Sequence, residues 1–326
     1  VSGAAGGTGR AFRSTNRGDS FVQYGPDLAS TAANGPLALA PNFSANGQIL
    51  VGTDTGAVAS ASLFDQARNA WSDVGLGLTG VVATKNGVVA VAFSPDYVNS
   101  STGVLYAVGL VGAPMRLRAV RGLNAPVDVA TLGNVYERGY IRFDRGGYLY
   151  FGGSRAAGTL GDIERVDTRA LSVVTSLGYT APVSDFTIVS GQGTNARLVV
   201  TNLITALATS PITRWSRTGG IVGGAGAWEL PDTDITGADT VAAAKPVVAT
   251  GDGAVFVGNG DKAASDRGGI FKGKIVDNKL KFTHGGLSTA TAASVNAALS
   301  GVVASPNYAS DRAVFVSTNE GLLRSS

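Results

Sequence analysis

Cysteine is absent from the 326 residues, and histidine occurs once, at His284. No disulfide can form, and no Cys/His zinc site can be assembled. Charge is scarce at 15 % of residues, and a net charge of +3 is small for this length. The densest basic group is Arg116, Arg118 and Arg121, too short a stripe for a nucleic-acid partner. No uninterrupted apolar run approaches the ~18 residues that a membrane span needs, so no membrane insertion is expected. Long polar low-complexity tracts are missing, which argues against disorder. No long amphipathic helix pattern is found either. The stretch from Val1 to Gly7 has neither a basic n-region nor an apolar h-region; the chain is then mature after cleavage, or it carried no signal. Few charges, no thiols and much Gly, Ser and Thr point to an extracellular or cell-surface setting.

What is present is apolar residues at 44 % and glycine at 46 positions. That is enough apolar content for a large core. Short β-rich runs alternate with Gly, Asn, Asp and Pro turns, as in many short antiparallel strands. One design recurs. Ser305-Pro306-Asn307-Tyr308 precedes an apolar strand, as do Ala40-Pro41-Asn42-Phe43 and Ser94-Pro95-Asp96-Tyr97. Six runs have the look of one repeated second strand, with last residues at 52, 109, 152, 201, 258 and 317. Regular recurrence of this kind suits a closed ring of units. The expectation is an all-β, six-bladed β-propeller of four-stranded antiparallel blades, forming one domain over 1–326. The blades fall at about 37–80, 87–132, 139–178, 183–231, 245–286 and 299–326 plus 9–25. In the last unit only three strands precede the final residue, so the N-terminal strand at 20–24 is expected to complete it and close the ring. The copies at 9–14 and 321–325 then leave one third strand surplus, a site for strand addition by another molecule.

Near the N-terminus, Ser14-Thr15-Asn16-Arg17-Gly18-Asp19-Ser20-Phe21 resembles the Asp-box, or BNR repeat, of sortilin-like and sialidase-like β-propellers. Asn16 stands for the usual Asp and Ser20 for Thr. Ser14, Asn16, Gly18, Ser20 and Phe21 carry the resemblance. A short oxygen-bearing side chain closes the turn, and Gly takes a positive φ. The resemblance implies a structural hairpin, with the aromatic packing under the turn, and no catalytic role. Arg17-Gly18-Asp19-Ser20 also spells an integrin-type adhesion tetrapeptide, which falls out of the same turn.

Candidate chemistry is thin. A Ser-His-Asp triad would have to use His284, which falls on an expected outer strand. Asp-box propellers include sialidases and other glycoside hydrolases, which place acids and bases on the axial face. One axial polar cluster is available for such work: Arg142, Asp144, Asp185 and Lys245, with Glu137, Arg138 and Tyr140 close by in sequence. Asp144 and Asp185 can serve as acid and base. Against this, the inner strands at 37–40, 87–92 and 299–304 are almost wholly apolar or small, and the sialidase Arg-Ile-Pro motif is missing. Asp232, Asp234, Thr236 and Asp239 resemble the start of a calcium loop, although Ala243 occupies the position of the bidentate Glu. Asp252, Asn259, Asp261 and Asp266 form a second oxygen-rich stretch. Asn42-Phe43-Ser44 and Asn99-Ser100-Ser101 are N-glycosylation sequons.

The leading expectation is a non-enzymatic extracellular structural or interaction propeller. It self-associates or binds other surface proteins, and has no cofactor unless calcium binds. The alternative is a carbohydrate-binding or glycoside-hydrolysing propeller that takes glycans.

Overall fold

The computed structural model describes residues 2–5, 8–15, 20–28, 35–54, 59–78, 87–110, 115–122, 124–155, 160–168, 174–202, 213–216, 228–232, 246–259, 269–277, 279–284, 299–305, 307–318 and 321–324. These divide into two compact units. The first takes Val1–Phe143, Leu149–Phe151 and Val166–Val174, and the second takes Asp144–Tyr148, Gly152–Arg165 and Thr175–Ser326.

Strand follows strand in antiparallel sheets. The first sheet is β1 (Ser2–Ala5), β2 (Thr8–Arg13) and β3 (Val22–Gln23). Next come β4 (Leu37–Leu39), β5 (Ile49–Asp54), β6 (Ala59–Asp65) and β7 (Ala70–Asp73), then β8 (Val88–Phe93), β9 (Val104–Leu110), β10 (Met115–Arg121) and β11 (Val127–Thr131). The fourth sheet is β12 (Tyr136–Phe143), β13 (Leu149–Arg155), β14 (Gly161–Val166) and β15 (Val174–Ser176). Two more four-stranded sheets are β16 (Val183–Ser190), β17 (Arg197–Asn202), β18 (Thr213–Ser216), β19 (Trp228–Glu229), and β20 (Val247–Ala249), β21 (Ala254–Asn259), β22 (Gly269–Val276), β23 (Lys279–His284). The last is β24 (Leu299–Ala304), β25 (Val314–Thr318) and β26 (Gly321–Arg324). Among the described residues this makes five sheets of four strands and two of three.

Sequence pattern explains the strand faces. Along β6 the residues Ala59, Ala61 and Leu63 are buried while Ser60 and Ser62 are partly exposed, the two-residue period of a half-covered strand. In β8 the run Val-Val-Ala-Val-Ala-Phe is buried on both faces. The first unit closes around Leu50, Leu63, Leu76, Val91 and Phe93, and around Met115, Leu117, Tyr136 and Phe151. In the second unit, Val199, Val255, Val257, Leu280 and Phe282 form one core cluster.

The repeated second strand has a specific packing reason. A Cβ at Gly52, in β5, would lie 2.8 Å from Val88 Cγ1, at the start of β8. At Gly152, in β13, it would lie 2.6 Å from Phe186 Cδ1, in β16, and 2.7 Å from Ile163 Cδ1. The counterpart at Gly258, in β21, would stand 3.0 Å from Val302 Cγ2, in β24. In these three cases a side chain from the first strand of the following sheet fills the space where a Cβ would be. Glycine recurs there because two sheets meet at its Cα.

The N-terminal strands correct the expected closure. Strand β3, expected to complete the last sheet, pairs with β2, placing Phe12 opposite Gln23 and Arg13 opposite Val22. The third-strand copy expected to be surplus is β2, which has a partner on each side. Local contacts decide this. Tyr24 N donates to Ala11 O at 2.8 Å, Leu28 N donates to Gly9 O at 2.8 Å, and Arg10 forks onto Asp27 at 2.9 and 3.1 Å. A short loop also loses less entropy on closing than a contact across the whole chain. The first sheet then meets the next one through Trp71, whose indole donates to Pro26 O at 2.8 Å, just past β3. Trp228 repeats this contact on Leu177 O at 2.7 Å, just past β15.

Two one-turn helices were not expected. They are α1 (Phe43–Asn46) and α2 (Tyr308–Asp311), and both belong to the Pro-Asn-aromatic turns. Each ends in a left-handed residue, Gly47 at φ 61° and Arg312 at φ 52°. Glycine adopts this freely, whereas an L side chain there costs about 1–2 kcal/mol. Arg312 has compensation: its guanidinium donates to Asp252 at 2.7 Å and lies 5.4 Å from the Tyr308 ring centroid.

Candidate functional site

Strand β12 carries the most chemically varied row of side chains. Its sequence Tyr136-Glu137-Arg138-Gly139-Tyr140-Ile141-Arg142-Phe143 places Arg138, Tyr140 and Arg142 at alternate positions, all partly exposed, while Gly139 and Ile141 are buried. Tyr136 N donates to Met115 Sδ at 3.2 Å, and the Phe143 ring packs 5.4 Å from Tyr106. These anchors hold the strand. On its open side the Arg142 guanidinium carbon lies 5.6 Å from the Tyr140 ring centroid, with Nη1 donating to Ile141 O at 3.3 Å. An aromatic ring beside a fixed cationic fork offers an apolar platform and several hydrogen-bond donors together.

The two carboxylates of the expected axial cluster have structural work. Asp144 is 5 % exposed; Oδ1 accepts Gly146 N at 2.8 Å and Tyr148 N at 3.0 Å, and Oδ2 accepts Gly193 N. Asp185 is 7 % exposed; Oδ1 accepts Phe186 N at 2.8 Å and Oδ2 accepts Val247 N at 3.1 Å. Two residues along, Thr187 Oγ1 accepts Ala249 N at 3.1 Å. Asp185 and Thr187 therefore cap alternate amides of β20, the edge strand of the next sheet. A carboxylate with both oxygens on backbone amides is a peptide cap, and proton transfer needs an oxygen within reach of substrate. Arg142 belongs to the first unit, Asp144 and Asp185 to the second, and Lys245 lies outside the described residues.

The expected calcium loop fares differently at its one described ligand. Asp232 faces Lys279 Nζ at 3.1 Å and Lys281 Nζ at 3.7 Å. The hydrogen bond from Lys279 is the main cause holding its carboxyl below the ordinary range. Two ammonium groups occupy the surroundings a divalent ion would need. Asp234, Thr236 and Asp239 lie outside the described residues, as do Asp261 and Asp266 of the second stretch. Asp252 takes a hydrogen bond from Thr250 as well as the Arg312 ion pair, and the Thr250 hydroxyl leads in lowering its carboxyl. Among the described residues no group of three metal-ligating side chains occurs.

At the Asp-box segment, Ser14 is half-buried, Ser20 is exposed, and Asn16 and Gly18, with the rest of the adhesion tetrapeptide up to Asp19, lie outside the described residues. Phe21 is 44 % exposed. The nearby aromatic that packs against the next sheet is Tyr24: its ring lies 4.9 Å from Phe64 and 6.0 Å from Phe43, and its hydroxyl donates to Gly47 O at 2.9 Å. His284 closes β23, an edge strand of its sheet, opposite Phe271. The turns also hold a buried pair that sequence reasoning missed. Tyr97 donates to Gln48 Oε1 at 2.9 Å, and burial pushes its hydroxyl up to about 12. Only the spacing of the two Pro-Asx-aromatic turns hints at that meeting.

No known family pattern and no curated protein matches this sequence. Solved structures do. A GH74 xyloglucanase from Xanthomonas campestris is similar at 15 % identity and a TM-score of 0.60, over 97 % of this chain and 45 % of that one. The Niastella koreensis GH74 enzyme matches at 13 % identity and a TM-score of 0.52, over 96 % of this chain and 58 % of that one. The PQQ-bound aldose sugar dehydrogenase of Streptomyces coelicolor matches at 15 % identity and a TM-score of 0.51, over 90 % of this chain and 95 % of that one. This chain thus spans about half the length of the GH74 enzymes it resembles. At such identities the likeness is one of fold, and the fold is that of a β-propeller.

Proposed function

We propose that this chain is a propeller that binds carbohydrate and does not cleave it. The observation that carries the reading is the Tyr140 ring, partly exposed on an anchored strand, with the Arg142 guanidinium carbon 5.6 Å from its centroid. The apolar face of a pyranose stacks on such a ring while its hydroxyls accept from the guanidinium. The two candidate acids of the expected axial cluster, Asp144 and Asp185, bond to backbone amides, which favours binding over hydrolysis. Two of the similar structures are sugar enzymes, a xyloglucanase and an aldose sugar dehydrogenase, and xyloglucan oligosaccharide is the probe of choice. In this reading the successive sheets are blades of one ring, the Asp-box resemblance at 14–21 belongs to the outer part of the first, and the setting is extracellular. Titration calorimetry with a xyloglucan oligosaccharide should show binding by the wild-type chain. Tyr140→Ala should weaken it at least about tenfold, or about 1.4 kcal/mol. Equal affinity of the two, or no heat with either, would remove the reading.

A second reading rests on a different observation. Phe21 and Val22 are 44 % and 61 % exposed beside one another, and Val22 lies on β3, the edge of the first sheet. An exposed apolar edge strand invites pairing with another copy. Light scattering should then give a mass that rises with concentration, and Val22→Lys should return it to that of one chain. A concentration-independent monomer in the wild type would end this reading.

A further inference from the structure

Two sequons lie in equivalent turns of neighbouring sheets, and the structure treats their asparagines in opposite ways. Asn42 is half-buried at the start of α1. Its Nδ2 donates to Val98 O at 2.8 Å, and its Oδ1 accepts Asn46 Nδ2 at 2.6 Å. That amide nitrogen ties one turn to the next. No hydrogen bond joins it to Ser44 among the described residues. Asn99, in the loop between β8 and β9, is exposed. Its Oδ1 accepts Ser101 N at 3.0 Å, Ser101 Oγ at 2.6 Å and Thr102 N at 3.2 Å. Among the described residues its Nδ2 donates to nothing and points at no partner it would have to give up.

We propose that Asn99 is an N-glycan attachment site of the folded chain and that Asn42 is not. With Thr102 Oγ1 at 3.2 Å, four donors on Oδ1 stabilise the negative charge that gathers there when Nδ2 yields a proton, so the nitrogen of Asn99 is the more readily activated one. The sequon serine itself supplies the shortest of these bonds. The donor is a polyprenyl-diphosphate-linked oligosaccharide. A bond forms between Nδ2 and the sugar C1 while the C1–O bond to diphosphate breaks. The lipid diphosphate leaves with that electron pair, and a base of the transferase takes the amide proton. A glycan on Asn42 would take one of its two Nδ2 protons and force bulk beside the bond to Val98 O, between two turns. Chains so modified would fail to fold and would not be secreted.

The test is secretion of the full chain from yeast behind a cleavable signal, followed by peptide mass spectrometry. One glycan is expected, on Asn99, with the Asn42 peptide unmodified. Asn99→Gln should be secreted without glycan and melt as the unmodified wild-type chain does. Asn42→Gln should keep the Asn99 glycan and melt at a lower temperature. An unmodified Asn99 in the secreted wild-type protein, or a glycan on Asn42, would overturn the proposal. The wild type and Asn99→Gln decide the matter even if Asn42→Gln does not fold.

Discussion

Gly152→Val should destabilise the chain by about 3 kcal/mol or more, at or above the upper end of the ~1–3 kcal/mol typical of overpacked cores. A Cβ at this position lies 2.6 Å from Phe186 Cδ1 and 2.7 Å from Ile163 Cδ1. Neither neighbour can withdraw, because both are fully buried. Valine adds two further methyls to the overlap. Gly133→Ala is the control: no atom lies within 4 Å of a Cβ there, and a surface change of this kind stays within about 0.5 kcal/mol. The contact can be assigned by a double-mutant cycle. Gly152→Ala should cost less in a Phe186→Leu background than in the wild type, because the shared space has been freed. Urea unfolding measures every variant beside the wild type. A Gly152→Val chain as stable as the wild type would mean that the recurring glycine is not where successive sheets meet.

Asp185→Ala should cost about 2–6 kcal/mol, since two buried amides, Phe186 N and Val247 N, lose their acceptor at about 1–3 kcal/mol each. Asp185→Asn keeps one carbonyl oxygen and should fall between the two. The expected order of stability is therefore wild type, Asn, Ala. Oligosaccharide affinity of the folded Asn variant should stay at the wild-type value. Should Asp185→Asn keep its stability and lose binding, the carboxylate would belong to the site and not to the scaffold.

Much of the scaffold was legible because its signal is local. Strands β8 and β9 begin and end where their apolar runs do. The second-strand glycines at 52, 152 and 258 mark a shared packing position that only their repetition in the sequence hints at. The site was less legible, for a physical reason. Asp144, Asp185 and Asp232 look the same in sequence as catalytic or calcium-binding acids. What separates them is the amide or ammonium opposite each oxygen, and those partners lie 49 residues away for Asp144 and Gly193, 62 for Asp185 and Val247, and 47 for Asp232 and Lys279. The alternation Arg138, Tyr140, Arg142 was visible, but only the anchoring of β12 by Met115 and Tyr106 turns it into a fixed surface. Closure misled for the opposite reason. The three-strand count of the last unit sent β3 to the far end of the chain, while the ion pair Arg10–Asp27 and the half-buried Tyr24 hold it beside β2.

One spectrum tests binding without cleavage most directly. Xyloglucan oligosaccharide is added to the isotopically labelled chain, and both protein and sugar signals are followed by NMR over a day. The account predicts shifts concentrated at Tyr140 and Arg142, with the oligosaccharide intact throughout. New reducing-end signals would make the chain a hydrolase, and an unmoved protein spectrum would mean that β12 is not a carbohydrate surface.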